Sequence, residues 1–266
     1  MLYSLCSLTN CADGDYPGAG LTFDGAGNIY GTASGGGADG AGIVFKLTPN
    51  TDGSWTESVL HSFHGSDGAF PQAGLIFDAE GNLYGTTYRG GGADNVGAVF
   101  KLTPNTHGSW TESVLHAFSG SDGAYPSAGL IFDAAGNLYS TTIDGGADDA
   151  GTVFKLTPNA DGSWRESVLH SFNFSDGAAV DAGLIFDGAG NLYGTAEGGG
   201  TGDAGTVFKL TSNAEGSWRE SVLHRFQGKP AQTPNGGLVL GSTGTLYGTA
   251  ARCFTGCAGV VYQITP

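Results

Sequence analysis

The chain has 266 residues, 49 of them glycine, and a formal charge of −15 from 25 acidic against 10 basic side chains. So acidic a surface repels phosphate backbones and anionic lipid, which argues against nucleic acid or a membrane surface as partner. No apolar run approaches the ~18 residues of a membrane span, and no charged-then-apolar leader precedes the first repeat.

The chain opens with Met1-Leu2-Tyr3-Ser4-Leu5, which aligns with Val59-Leu60-His61-Ser62-Phe63 further on. Because Met1 falls inside this strand-like run, any export signal is expected to have been removed or never present. From Gly20 a unit recurs, starting again at Gly74, Gly129, Gly183 and, in a broken copy, Gly237; the starts lie 54, 55, 54 and 54 residues apart. A fixed period of this size marks a repeat architecture, and units that cannot bury their own apolar faces read together as one domain, 1–266. Blades are expected over about 20–63, 74–118, 129–172 and 183–226, and over 237–266 together with 1–5.

Each unit divides into four strand-like runs, in the third copy Gly129–Asp133, Asn137–Thr142, Thr152–Thr157 and Trp164–Phe172, separated by turn residues. The first link (AAG) and the third (PNADG) are short and stereotyped. The second (DGGADDAG) and the fourth (NFSDGAAVDA) are longer and vary between copies. Four antiparallel strands per unit describe a propeller blade, so the chain is expected to be an all-β, five-bladed propeller. The last copy stops after GVVYQITP, so the N-terminal run is expected to supply its missing fourth strand and close the ring.

In the fourth strand, period-2 alternation puts Trp164, Glu166, Val168, His170 and Phe172 on one face. Folding the hairpin about its turn sets Lys46, Lys101, Lys155 and Lys209 opposite Glu57, Glu112, Glu166 and Glu220, as cross-strand pairs. His61, His116, His170 and His224 share one position, with Tyr3 as the fifth member. On an outermost strand they read as packing or hydrogen-bonding residues.

The units GLIFDAAGNLY, GTVFKLTP and WRESVLHSF resemble the GloVer-type tandem repeat of exported or surface-anchored bacterial proteins, across essentially the whole chain. The resemblance implies a propeller and an extracellular or cell-surface location. It brings no established activity and no catalytic residues. Looser similarity links GLIFD-x-x-GNLY to the first strands of NHL-like propellers.

Alternate links emerge on opposite ends of a blade, so the second and fourth links share the variable, functional face. Just before each repeat start the copies carry Tyr16, Phe70, Tyr125, Ala179 and Thr233, expected near the mouth of a central tunnel. Two positions later come Gly18, Gln72, Ser127, Asp181 and Asn235. The second links open with Ser34, Tyr88-Arg89, Asp144, Glu197 and Arg252. Aromatic rings at the mouth could stack on sugar faces while acidic loops accept hydroxyl hydrogens, so the ligand-binding candidates are Tyr16, Phe70, Tyr125, Tyr88, Arg89, Asp181 and Glu197. Asp13, Asp67, Asp122 and Asp176 each precede a glycine in the fourth link. They read as turn formers, with calcium as the alternative occupant although no EF-hand spacing is present. No other cofactor is implied. Cys6, Cys11, Cys253 and Cys257 are expected to form disulfides near the ring's closure, locally or across two loops.

Three functions fit. A non-catalytic, lectin-like module for a glycan or small polar ligand is favoured, as a monomer. A structural or protein-interaction scaffold is the second. The third is a hydrolase or lyase using Asp181 with Asp176 or Glu197, which needs two carboxylates spaced across a glycosidic bond. No nucleophile elbow, zinc-protease motif or phosphate loop occurs.

Overall fold

In the computed structural model, residues 1–227, 233–251 and 259–266 are described. They form five antiparallel sheets, the blades of an all-β propeller fold. The chain divides into two compact units, Met1–Ser119 with two blades and Gly120–Pro266 with three. The first unit holds strands Thr22–Phe23, Ile29–Ala33, Ile43–Pro49 and Trp55–Ser62, then Ile76–Phe77, Leu83–Thr87, Ala98–Pro104 and Trp110–Ala117. The second holds Ile131–Phe132, Leu138–Thr142, Thr152–Pro158 and Trp164–Ser171, then Ile185–Phe186, Leu192–Ala196, Thr206–Ser212 and Trp218–Arg225. Its last blade has three strands, Val239–Leu240, Leu246–Ala250 and Val260–Ile264.

Burial follows strand order. The second strand of each of the first four blades is buried at every position, the third at most, and the fourth mixes half-buried and exposed positions. β-Branched and aromatic residues dominate the inner strands, as a sheet covered on both faces requires. In the first unit Tyr30, Val44 and Phe63 pack against Leu83, Phe100 and Leu102 of the next blade. Tyr139, Val153 and Phe172 make the same contacts with Leu192, Phe208 and Leu210 in the second unit.

A four-bond lock sets the first turn of each complete blade. Asp133 Oδ1 accepts the amides of Ala135 and Asn137 at 2.9 Å, and Oδ2 accepts Asn137 Nδ2 at 2.7 Å and the Tyr139 hydroxyl at 2.9 Å. Asp24, Asp78 and Asp187 repeat the arrangement. The D-x-x-G-N-x-Y spelling of the repeat is therefore an Asx turn extended to a tyrosine two residues into the next strand.

Two register expectations are corrected. In the third blade Lys155 lies opposite Ser167, and Glu166 lies opposite Leu156. The turn places the hairpin one residue out from the lysine–glutamate pairing. Each lysine instead lies over the tyrosine of the neighbouring strand, Lys46 at 5.7 Å from the Tyr30 ring centroid and Lys155 at 5.4 Å from that of Tyr139. Alternation in the fourth strand also fails, because Val153 pairs with His170 while Phe154 pairs with Val168. Leu169 is the extra residue of a β-bulge, and His170 is turned to the face opposite Val168 and Glu166. Leu60, Leu115 and Leu223 occupy the same place.

Among the described residues no strand is assigned within Met1–Leu5, and the sheet of the fifth blade has three strands. The run matches only the last residues of a fourth strand and lacks the Trp-x-Glu half that pairs with the third. Tyr3 and Leu5 pack instead on Ile43, Phe45 and Leu47 of the first blade, as Phe63 packs on the second. Leu21 and Phe23 of the first blade are 54% and 63% exposed, and Tyr247 and Val261 of the fifth 41% and 79%.

Replacing Asp133 with alanine orphans the buried Asn137 side chain and the Tyr139 hydroxyl, a loss of about 2–3 kcal/mol. Asp161→Ala, which removes only an exposed Asp–Ser163 turn contact, should lower Tm much less. Parallel thermal melts by circular dichroism test this ordering; equal losses would refute the lock.

Candidate functional site

Tyr16, Phe70, Tyr125, Ala179 and Thr233 all adopt left-handed backbone, with φ between 54° and 57°. For a bulky aromatic this costs of order 1–2 kcal/mol and persists only where the surroundings impose it. The imposing contacts are visible. Phe70 donates its amide to Ala41 O at 2.7 Å and accepts from Tyr88 N at 3.2 Å; Ala179 donates to Ala150 O at 3.1 Å and accepts from Glu197 N at 3.0 Å. The preceding residue pairs with the start of the next second link in isolated bridges: Asp15 with Gly35, Ala69 with Arg89, Ala124 with Asp144, Ala178 with Gly198. The fourth link is thus stitched to the second link of the following blade, which brings the two variable links together. Close approach requires glycine there. A Cβ on Gly199, at φ +73°, would lie 2.6 Å from the carbonyl of Phe174.

The clamp presents the side chains outward. Tyr16 is 72% and Phe70 39% exposed, and Tyr125 is half-buried. A cavity of about 460 Å³ is lined by Tyr16, Pro17, Gly18, Ser34, Pro71 and Gln72, so two of the sequence candidates' variable positions meet around one aromatic ring. In the second blade Arg89 stacks on Tyr88, 5.8 Å from its centroid. In the second unit Asp181 accepts a very short hydrogen bond from Ser127 Oγ, and its amide and that of Glu197 both donate to Ala179 O, at 3.1 and 3.0 Å. Asp181 therefore carries a hydroxyl partner. Asp176 is committed elsewhere, to His170 and Asn173.

Cys6 and Cys11 form a disulfide with each other, so these two make no cross-loop bond. Cys253, Cys257 and Arg252 lie outside the described residues.

The fourth-link aspartates face inward toward the blade contact. Asp67 accepts His61 Nε2 at 2.9 Å and the His64 amide at 2.8 Å. Asp176 accepts His170 Nε2 at 3.1 Å and the Asn173 amide at 3.0 Å. At the first blade Tyr3 replaces the histidine: its hydroxyl, with the Ser7 amide and hydroxyl and the Leu8 amide, satisfies Asp13. Burial pushes the Asp13 carboxyl up, but these bonds outweigh it and bring it to about 2. Asp122 carries the repeat's equivalent position and is half-buried.

Sequence reasoning missed the glutamates of the fourth strands. The bulge sends histidine to one face and leaves glutamate on the other, so Glu112 of the second blade approaches His61 and Asp67 of the first. Glu57, Glu112 and Glu220 each keep an Oε1 atom buried with no hydrogen-bond partner. Burial, then the charge of the adjacent aspartate, pushes each of these carboxyls up to about 7. Burial lowers His61 and His170, with the aspartates pulling the other way.

A family model described as the Gloeobacter/Verrucomicrobia repeat matches residues 2–185 and 160–266. No curated protein matches the chain in sequence. Among solved structures, an ulvan lyase of a new polysaccharide lyase family, bound to -[GlcA(1-4)Rha3S]-, is similar with a TM-score of 0.53 and 13% identity over 88% of this chain and 66% of that one. An endo-arabinase from Bacteroides thetaiotaomicron is similar over 98% of this chain and 95% of that one, at 14% identity and a TM-score of 0.43. At 13% identity the likeness to the lyase is one of fold.

The Tyr3–Asp13–Glu57 contact yields a pH prediction. The native Glu57 carboxyl holds its proton more tightly than the unfolded chain does, so its contribution is full below its ordinary value of 4.5 and is lost as pH rises through about 7. Glu57→Gln cannot ionise. The Tm of the variant relative to the parent should therefore climb between pH 5 and pH 8; a difference independent of pH would show that Glu57 is not held protonated.

Proposed function

Since the chain belongs to the Gloeobacter/Verrucomicrobia repeat family, with each copy built to one plan, we propose that it is a non-catalytic glycan-binding propeller whose contacts come from the positions where the copies differ. The observation that carries this reading is the strained, left-handed residue before every repeat start. Glycine would hold this backbone without strain, as it does at many turns of the chain, yet none of the five copies places one here. Here it is filled by tyrosine, phenylalanine and tyrosine in three copies. Strain kept at an exposed aromatic is strain kept for presentation.

The cavity beside Tyr16 has the composition a sugar needs. An exposed ring offers its face to axial C–H groups, while Gln72 and Ser34 offer donors and acceptors for hydroxyls. Arg89 over Tyr88 in the first unit, and Asp144 and Glu197 at the equivalent loop positions in the second, give these loops polar character. Sharing a fold with a polysaccharide-bound lyase is compatible with this use. The hydrolase or lyase reading has weaker support, because Asp176 is tied to His170 and Asp181 is engaged by Ser127. The Cys6–Cys11 disulfide suits action in an oxidising, extracytoplasmic compartment, and among the described residues no helix is long and apolar enough to cross a membrane.

Glycan-array binding followed by titration calorimetry tests the proposal. Tyr16→Gly should weaken the best array ligand about five- to 150-fold, matching the ~1–3 kcal/mol that a stacking aromatic contributes. The same change relieves backbone strain, so Tm should hold or rise. An array without any saturable ligand, or an affinity untouched by Tyr16→Gly, would end the lectin reading. In parallel, no new reducing ends or unsaturated products should accumulate with array hits, and Asp181→Asn should leave the fold intact.

A further inference from the structure

Two sets of side chains at blade contacts form a cluster with a purpose the glycan reading does not use. In the first unit His61 Nε2, an Asp67 carboxylate oxygen and a Glu112 carboxylate oxygen lie within 4.8 Å of one another; His170, Asp176 and Glu220 repeat this in the second unit. All six residues are half-buried or buried. We propose that each set binds a zinc-class divalent cation, which bridges the fourth strand of one blade to that of the next.

The first argument is charge. Two largely buried carboxylates meet in each set, and among the described residues no lysine or arginine forms an ion pair with Glu112 or Glu220, with Arg225 acting on Glu220 only at longer range. The strand lysine that might have helped, Lys101, lies over the Tyr84 ring instead. Like charges side by side in a buried place need a proton or a cation between them. A divalent ion beside a neutral imidazole balances two carboxylates in full.

The second argument is the donor set and its reach. Imidazole nitrogen with carboxylate oxygen suits zinc and its neighbours, at bond lengths near 2.0–2.2 Å, which puts tetrahedral ligand atoms about 3.3 Å apart. The His–Asp separations of 2.9 and 3.1 Å are already close to that, and the buried Oε1 of Glu112 and Glu220 has no other partner to give up. Three protein donors leave a fourth position for water. Calcium, which wants six to eight oxygens, fits poorly. The opposite Asp67 oxygen is fixed by the His64 amide, as Asp176 is by Asn173, so the carboxylates are oriented by backbone before any ion arrives.

The third argument is an internal contrast. Where Tyr3 replaces histidine, four hydrogen bonds satisfy Asp13 completely. Glu57 keeps its unpartnered oxygen there too, so the orphan belongs to the strand position, while the histidine is what completes a ligand set.

The test uses the full chain, stripped with EDTA and studied at pH 7.5. Isothermal titration should show saturable uptake of at least two equivalents of Zn²⁺ with a rise in Tm, and Ca²⁺ at equal concentration should give neither. The double variant Glu112→Gln/Glu220→Gln should take up two equivalents fewer, while its metal-free Tm stays at or above the parent's. His61→Tyr, which copies the natural Tyr3 arrangement, should take up one fewer. No saturable uptake, or uptake unchanged in these variants, would overturn the proposal and leave a shared proton as what resolves the paired carboxylates.

Discussion

One extra residue in each fourth strand, Leu60, Leu115, Leu169 or Leu223, governs how a blade meets its neighbour. Without the bulge, glutamate and histidine would face the same way and each blade would carry both on one side. With it, the strand presents glutamate toward the preceding blade and histidine toward the following one. The leucine itself turns into the core, where Leu60 and Leu169 pack beside buried aromatics. A polar contact between successive blades is thereby threaded beside an apolar one, which in the first unit includes the edge-to-face contact of Phe63 and Phe100, with centroids 5.1 Å apart.

The architecture was legible because period and turn chemistry are local. A recurring Gly-Leu start, an Asp-x-x-Gly-Asn turn and a Trp at the head of the last strand each constrain a few adjacent residues, and four full copies say it repeatedly. What failed were statements needing register. The lysine–glutamate pairing depends on where a five-residue turn places its first pair, and the alternation of Trp164 to Phe172 depends on a bulge that no single residue announces. Both errors moved glutamate from a solvated edge to a buried contact.

The candidate site was partly legible for the same reasons. That the copies differ just before each repeat start could be read directly, and the structure adds that all five positions share one strained conformation. Nothing in Tyr16 or Phe70 as residue types signals a left-handed backbone; the clamp between Ala41 O and Tyr88 N that imposes it on Phe70 comes from two other links. The disulfide was open among several pairings, and the neighbouring pair Cys6–Cys11 is one that spacing alone could not select.

The left-handed positions have a consequence for change over time. Because the conformation is dictated by main-chain bonds on either side, the side chain that occupies it is nearly free of structural duty. Tyrosine, phenylalanine, alanine and threonine already occupy it at almost identical φ. Each copy is in effect a socket whose plug can be exchanged without redesigning the housing, so a lineage could retune one contact at a time while the others keep the protein useful. The same independence would let a library randomise these sockets and read out recognition separately from foldedness.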